Sequence, residues 1–408
     1  MTDTTQTPSF DTLGLHPKLL QALHKLNFTT PTPIQVHAIP VAIEGKDLVG
    51  IAQTGTGKTM AFGLPMLQRL GGTKDQGLIL VPTRELAIQV EEGLMKVAGS
   101  LGLRTALLIG GAAIFHQKKI LRSNPNIIVA TPGRLIDHLM QKTVNLTQVR
   151  VLVLDEADRM LDMGFEPQIK QILKTVPADR QTMLFSATMP KELMDIAHSY
   201  MRTPLRIEVA IAGSTADNIE QAFLVTTKEQ KFSELSDLIR EFPGTVLVFS
   251  RTKHGATKLT QQLNAQGMLT AEIHSNRSLG QRRAALDGFK RGRYRILVAT
   301  DIAARGIDVK EIGMVVNFDL PDNPEDYVHR IGRTGRAGHE GVAISFATPD
   351  QKRDLEMIER LIRQPLTIHH RVPFSAPASK FAFRSRRGGG GGGGGRRPAP
   401  SRGGFRRR

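Results

Sequence analysis

The chain contains no cysteine, so disulfides and thiolate metal sites are excluded and a reducing cytosol fits it better than an oxidising compartment. Long apolar runs are also missing: nothing approaches the roughly 18 residues of a membrane span. Met1 to Asp11 is polar and lacks the basic and apolar regions of a secretion signal. A soluble, unexported, cytoplasmic protein with no membrane partner is expected, acting as a monomer. Acidic residues are absent from Arg371 to Arg408, where eleven lysines and arginines stand, so of the total charge of +17 the first 370 residues carry only +6. Such a basic stretch attracts polyanions, nucleic acid foremost, because each neutralised phosphate releases condensed counterions.

Forty per cent hydrophobic and 23% charged residues are ordinary globular proportions, and 408 residues exceed what one hydrophobic core usually organises. Short apolar runs alternate with segments of helical periodicity, the pattern of parallel sheets covered by helices. Strands are expected at 47–51, 78–81, 105–109, 126–130, 151–154 and 182–185, and again at 221–226, 245–250, 269–273, 295–299, 314–318 and 342–346, with a closing helix over 350–362. The fold class is therefore α/β, with two tandem domains at 1–209 and 218–365 joined by a small, polar linker at 210–217. Beyond 365 periodicity is lost and eight consecutive glycines, Gly388 to Gly395, sit between arginine clusters. A disordered basic tail over 366–408 is expected, since glycine loses the most entropy on ordering and buries no side chain.

Ala52-Gln53-Thr54-Gly55-Thr56-Gly57-Lys58-Thr59 follows an apolar strand and opens a helical stretch, 58–70. That context makes it a phosphate-binding loop: backbone amides turn around the phosphates, Lys58 reaches the β and γ groups, and Thr59 can ligate Mg²⁺. Alanine stands where the pattern has its first glycine. A partner acid is required, and Val151-Leu152-Val153-Leu154 ends in Asp155-Glu156-Ala157-Asp158. Asp155 suits the Mg²⁺ shell, through water, and Glu156 can orient and deprotonate an attacking water. In the second half Gly-x-x-x-x-Gly-Lys-Ser/Thr is missing, so a single ATP is expected, with the second domain supplying the other wall of its site.

Asp155-Glu156-Ala157-Asp158 is also the literal signature of the DEAD-box RNA helicases, and from Phe10 to Ile362 the chain resembles that family, most closely its bacterial RhlE-type branch. The resemblance implies two RecA-like domains and an ATP-dependent RNA helicase that locally unwinds or remodels RNA duplexes and RNA–protein complexes, with ATP and Mg²⁺ bound. Pro31-Thr32-Pro33-Ile34-Gln35 resembles the adenine-recognition motif, in which Gln35 reads the base and Phe10 stacks on it; Asn27 replaces the common glycine before Phe28. Pro82, Thr83 and Arg84, then Gly111, Thr131 and Arg134, resemble the first-domain contacts to RNA phosphate and sugar, which carry no sequence information. Ser186-Ala187-Thr188 resembles the segment that couples hydrolysis to strand separation through the acidic cluster and His329. In the second domain the resemblance places Thr300 at phosphate, Asp308 near the ribose, Arg251 and Arg282 at RNA, and Arg333 and Arg336 as arginine fingers on the γ-phosphate. Around Arg282 the chain departs from type, with Ser275 for glycine and Leu279 for glutamine.

On the residues alone two other readings stay open. One is a non-catalytic RNA clamp or chaperone that binds chiefly through its tail, against which the full set Lys58, Glu156, Arg333 and Arg336 argues. The other is a DNA-directed translocase, because a preference for RNA rests on 2′-hydroxyl contacts that a sequence does not display.

Overall fold

The computed structural model describes residues 8–53, 55–209, 219–304, 312–335, 340–362 and 365–369. Its strands are β1 Leu48–Ile51, β2 Gln76–Leu80, β3 Thr105–Leu108, β4 Ile127–Ala130, β5 Val149–Leu154, β6 Gln181–Ser186 and β7 Leu205–Glu208, then β8 Ile219–Val225, β9 Val246–Phe249, β10 Thr270–Ile273, β11 Ile296–Ala299, β12 Met314–Asn317, β13 Gly341–Ala347 and β14 Ile368–His369. They form two seven-stranded sheets in the orders β3-β4-β2-β5-β6-β1-β7 and β10-β11-β9-β12-β13-β8-β14. The pairings are parallel, and each strand of one sheet has a counterpart at the same place in the other.

Apolar residues on alternate sides of the central strands explain why both sheets are covered on two faces. Ile79 and Val151 point into one core cluster of the first lobe, while their neighbours Leu78 and Leu152 point into another. The second lobe repeats this, with Val246 and Val248 on one face and Leu247 and Phe249 on the other.

All twelve expected strands are present with ends shifted by one or two residues, and the helix Lys58–Leu70 has the expected bounds. The closing helix runs Lys352–Ile362, preceded by a 3₁₀ turn at Pro349–Gln351. Two strands were not expected. β7 is an edge strand whose side chains are largely exposed, so its sequence carries no apolar signal. β14 lies inside the stretch assigned to the tail: Ile368 and His369 pair with Phe223 and Leu224 of β8, and Phe223 N–H donates to the Thr367 carbonyl at 3.0 Å. The second sheet thus takes up residues that the sequence places beyond the domain. The linker at 210–217 and the tail from residue 370 lie outside the described residues. Within the described residues, no helix is long and apolar enough to cross a membrane.

Candidate active site

The carboxyl ends of β1, β5 and β6 bring the phosphate loop and the acids together. After β1 the chain turns at Gly55 and Gly57, with φ of 88° and 89°, left-handed values that glycine adopts without steric cost. Gly57 caps the helix Lys58–Leu70, and a Cβ there would collide with the Gln35 side chain. Gln35 donates to the Gly57 carbonyl at 3.0 Å and accepts from Thr32 N–H at 2.9 Å, which fixes it against the loop. Lys58 is buried and donates from Nζ to the Ala52 carbonyl at 3.0 Å. Thr56 Oγ1 donates to the Gln53 carbonyl at 2.7 Å, and Thr59 follows, half-buried, in the first turn of the helix. Thr54 lies outside the described residues.

β5 delivers three acids into a nearly solvent-free position: Asp155, Glu156 and Asp158 are all buried. Burial pushes the Asp155 carboxyl up to about 6, against the opposing pull of Lys58. Glu156 has φ 51° and ψ 50° as the residue that caps the helix Ala157–Asp162, a conformation that is strained for a side chain with a Cβ and is typical of functional positions. Burial pushes Glu156 up as well, but Arg159, Lys58 and Arg333 together hold it below its ordinary value, so it stays ionised. Arg159 Nε lies 3.7 Å from Glu156 Oε2. Asp158 Oδ2 accepts from the N–H groups of Ala187 and Thr188 at 3.1 and 2.9 Å and from Thr188 Oγ1 at 3.0 Å, while Asp158 N–H donates to Ser186 Oγ at 3.2 Å. The structure therefore brings the Ser186-Ala187-Thr188 segment onto the acidic cluster through Asp158.

The second lobe closes the other side. A cavity of about 220 Å³ is lined by Gln53, Ala187 and Thr188 from the first lobe and by Val328, His329 and Arg333 from the second. Burial, then Arg159, pushes His329 well below its ordinary value, so it is a neutral imidazole at physiological pH. Arg333 is buried and donates from Nε to the His329 carbonyl at 3.3 Å, and its charge acts on Glu156 from across the interface. Arg330 anchors the helix Pro324–Ile331 from behind, with its guanidinium on both oxygens of Asp301 at 2.5 and 2.7 Å. Arg336 and Asp308 lie outside the described residues.

Two of the expected RNA residues of the first lobe, Arg84 and Arg134, meet the loop that holds a third, Gly111. The Arg84 guanidinium lies over Gly110 and Gly111, where a Cβ on Gly111 would run into it. Arg134 Nη1 donates to the neighbouring Ala112 carbonyl at 3.1 Å. Thr83 and Thr131, both buried, cap the helices Arg84–Ala98 and Pro132–Met140, with Pro82 buried just before the first. In the second lobe Thr300 precedes the helix Asp301–Ala304, and Arg251 is held through Nη2 on the Leu320 carbonyl at 3.2 Å.

Two placements differ from the expectation. Phe10 is packed in the first core with only 3% of its surface exposed, so no ring face is offered to an adenine; the exposed aromatic near Gln35 is Phe28, at 42%. Arg282 is buried against the first lobe, with Nη2 on Glu85 Oε2 at 2.8 Å, so its observed role is to join the lobes. Glu85 and Arg159 were the residues that sequence reasoning passed over. Their signal was an acid inside a segment otherwise suited to phosphate, and an arginine directly after three acids.

The DEAD/DEAH box helicase family model matches residues 32–196, and the helicase conserved C-terminal domain matches residues 230–338. The chain is 44% identical over 377 residues to ATP-dependent RNA helicase CshA of Listeria monocytogenes, covering 92% of this chain and 72% of that one. To DEAD-box ATP-dependent RNA helicase CshA of Bacillus subtilis it is 43% identical, covering 88% and 74%. Among solved structures, S. cerevisiae Dbp5 bound to RNA and ADP BeF3 superposes with a TM-score of 0.79 at 32% identity, covering 88% of this chain and 95% of the other. Mss116p bound to single-stranded RNA and AMP-PNP gives 0.80 at 27% identity, covering 90% and 81%. With acids, phosphate loop and second-lobe arginine meeting in one cleft of two RecA-like domains, the chain belongs to the DEAD-box family of ATP-dependent RNA helicases.

Proposed function

We propose that the chain hydrolyses ATP in the cleft between its lobes and uses lobe closure to hold one RNA strand in a shape that a duplex cannot adopt, separating strands locally. The single observation that carries this is the cavity lined by Gln53, Ala187 and Thr188 of the first lobe and by Arg333 of the second, because half of the hydrolytic machinery then arrives only when the lobes meet. The arrangement is closer to Dbp5 bound to RNA and ADP BeF3, at a TM-score of 0.79, than to a Dbp5 variant bound to Gle1 and IP6, at 0.71. This supports reading it as the closed form.

In that form Lys58 and the loop amides hold the triphosphate, and ionised Glu156 takes the proton of the attacking water. Arg333, with Arg336, answers the charge that develops on the γ-phosphate. Asp308 serves the ribose, and Gln35 the adenine, with exposed Phe28 in place of Phe10 as its stacking partner. One buried carboxylate, Asp155, and one hydroxyl, Thr59, suit Mg²⁺, an ion that takes few protein ligands and shares phosphate oxygens and water; bound there it would offset the phosphate charge. Thr83, Arg84, Gly111, Thr131 and Arg134 grip the RNA backbone from the first lobe, and Arg251 and Thr300 from the second, without reading bases. ATP and RNA each favour closure and so raise each other's affinity.

The basic stretch 371–408 adds a sequence-independent hold on RNA, and the compact body with this extension supports the RhlE-type branch, although the curated relatives above carry the name CshA. Deleting 371–408 should lower RNA affinity and flatten its salt dependence while basal ATP turnover is kept; an unchanged salt slope counts against that role. Comparing ATPase stimulation by RNA and DNA strands of equal sequence tests the substrate class, and equal stimulation would favour the DNA-directed reading.

A further inference from the structure

The matching strand orders of the two sheets make the lobes comparable position by position. β8 takes the place of β1: Thr226 N–H donates to the Ala347 carbonyl as Ala52 N–H does to Ser186. The helix that follows begins at Lys231, as the helix after the phosphate loop begins at Lys58. β12 takes the place of β5, and Phe318 N–H donates to Phe249 as Asp155 N–H donates to Leu80. Asp319 therefore stands where the first lobe has Glu156. The second lobe keeps a buried lysine at the start of the helix after β8 and an acid after β12, two strands away in the sheet, but without a phosphate loop. Its turn, Thr226 to Lys231, has no glycine, and the Gln230 and Lys231 amides are both spent on the Thr227 carbonyl, at 3.2 and 3.1 Å.

We propose that this lysine–aspartate pair has been redeployed to position Arg251, so that Lys231 and Asp319 are positioning residues for the second lobe's grip on RNA. The proposal rests on the reading of Arg251 as an RNA contact. Lys231 is buried and donates from Nζ to the Phe318 carbonyl at 2.8 Å, with Asp319 Oδ1 at 3.5 Å and the Phe318 ring beneath it. The other Asp319 oxygen, Oδ2, accepts from Arg251 N–H at 3.0 Å and from Ser250 Oγ at 3.3 Å. The turn from β9 into the helix Lys253–Ala265 is thereby fixed, and Arg251 leaves it with Nη2 on Leu320 and Nε 3.4 Å from Asp322. Lys231 supplies the cation that lets Asp319 spend its second oxygen on the turn. Without it, the Asp319 carboxylate would be left to the guanidinium of Arg251, since Arg330, which donates to the Asp319 carbonyl at 2.6 Å, is committed to Asp301, and a guanidinium drawn back to that acid is withdrawn from a phosphate. Burial lowers the lysine while Asp319 raises it, as expected for a cation retained in a half-dry place by its partner.

The test uses the full chain and a single-stranded RNA oligonucleotide in the presence of a non-hydrolysable ATP analogue. The Kd is measured for Lys231→Met, Arg251→Ala, the double variant and Lys231→Arg. Lys231→Met and Arg251→Ala should each weaken RNA binding by roughly tenfold or more, the worth of one hydrogen bond to a charged group. The double variant should be no weaker than Arg251→Ala, Lys231→Arg should restore most of the affinity, and Lys231→Met should keep its kcat at saturating RNA. If Lys231→Met lowers the melting temperature, adding Asp319→Asn to it carries the test, because removing the unpaired carboxylate should return most of the RNA affinity; a loss that persists would overturn the positioning role. Losses that multiply in the double variant, or wild-type affinity in Lys231→Met beside a weakened Arg251→Ala, would overturn the positioning role. An Arg251→Ala variant that binds RNA like the wild type would instead overturn the reading of Arg251 itself, and the proposal with it.

Discussion

Among the acids, one strand end supplies two carboxyl groups with opposite settings, and this division decides what each does. Glu156, held low by Arg159, Lys58 and Arg333 against its own burial, is available as a base. Glu156→Gln should cut ATP turnover by about 10²- to 10⁴-fold while ATP and RNA binding persist, leaving a trapped complex; rapid RNA release with ATP present would refute this. Asp155 is the costly one. Its carboxyl is raised to about 6 from 3.8, so the folded chain binds this proton more tightly than the unfolded chain does. Its charge therefore opposes folding fully above about pH 6, and not at all below about 4, where the group is protonated in both states. Asp155→Asn should raise the melting temperature of the nucleotide-free protein at pH 8, with the gain fading as pH falls from 6 to 4, and should abolish ATPase. A lower melting temperature at pH 8 contradicts it. The two phenylalanines separate in the same manner. Phe28→Ala should raise the KM for ATP at unchanged stability, whereas Phe10→Ala should cost about 3–5 kcal/mol of stability as a core truncation. Titrating both with ATP after measuring their melting curves distinguishes them.

For the elements, the legible parts of the sequence were those where one signal dominates. β5 reads as apolar residues ending in acids, and the helix Lys58–Leu70 is announced by Gly57 and bounded by Gly71, so both were located from residues alone. β7 and β14 were not, because an edge strand buries little and need not alternate; Arg206 and Glu208 even pair with each other on its surface at 2.9 Å. The phosphate loop and the acids stand out because their chemistry demands particular residues in order, whereas Arg333 is reached only through the family resemblance. The Glu85–Arg282 bridge was invisible, since a contact between residues 197 positions apart leaves no local pattern, and Phe10 was misassigned because burial cannot be read from a lone aromatic. β14 also carries the second sheet past residue 365. Removing 371–408 should leave the melting temperature unchanged, while removing 366–408 should lower it by exposing the edge of β8; equal melting curves would show that this pairing contributes nothing.

Across the whole molecule, the contacts described between the lobes differ in weight. Arg282 and Glu85 are both nearly buried, with 8% and 7% of their side chains exposed, whereas Arg283 and Glu92, 3.0 Å apart, are open to solvent and contribute little by comparison. Removing one partner of a buried pair strands the other charge and costs on the order of 3–5 kcal/mol. Glu85→Gln should therefore weaken the mutual enhancement of ATP and RNA binding while each ligand's affinity in the absence of the other is nearly kept; unchanged coupling would mean that the lobes close without this bridge. On the proposed mechanism hydrolysis depends on the same closure, because Glu156 and Arg333 belong to different lobes. The most direct measurement is steady-state ATP turnover with and without single-stranded RNA, for the intact chain and for Arg333→Ala. RNA should accelerate the intact chain strongly and the variant hardly at all. Equal turnover with and without RNA in the intact chain would contradict a site that is completed only when the lobes meet.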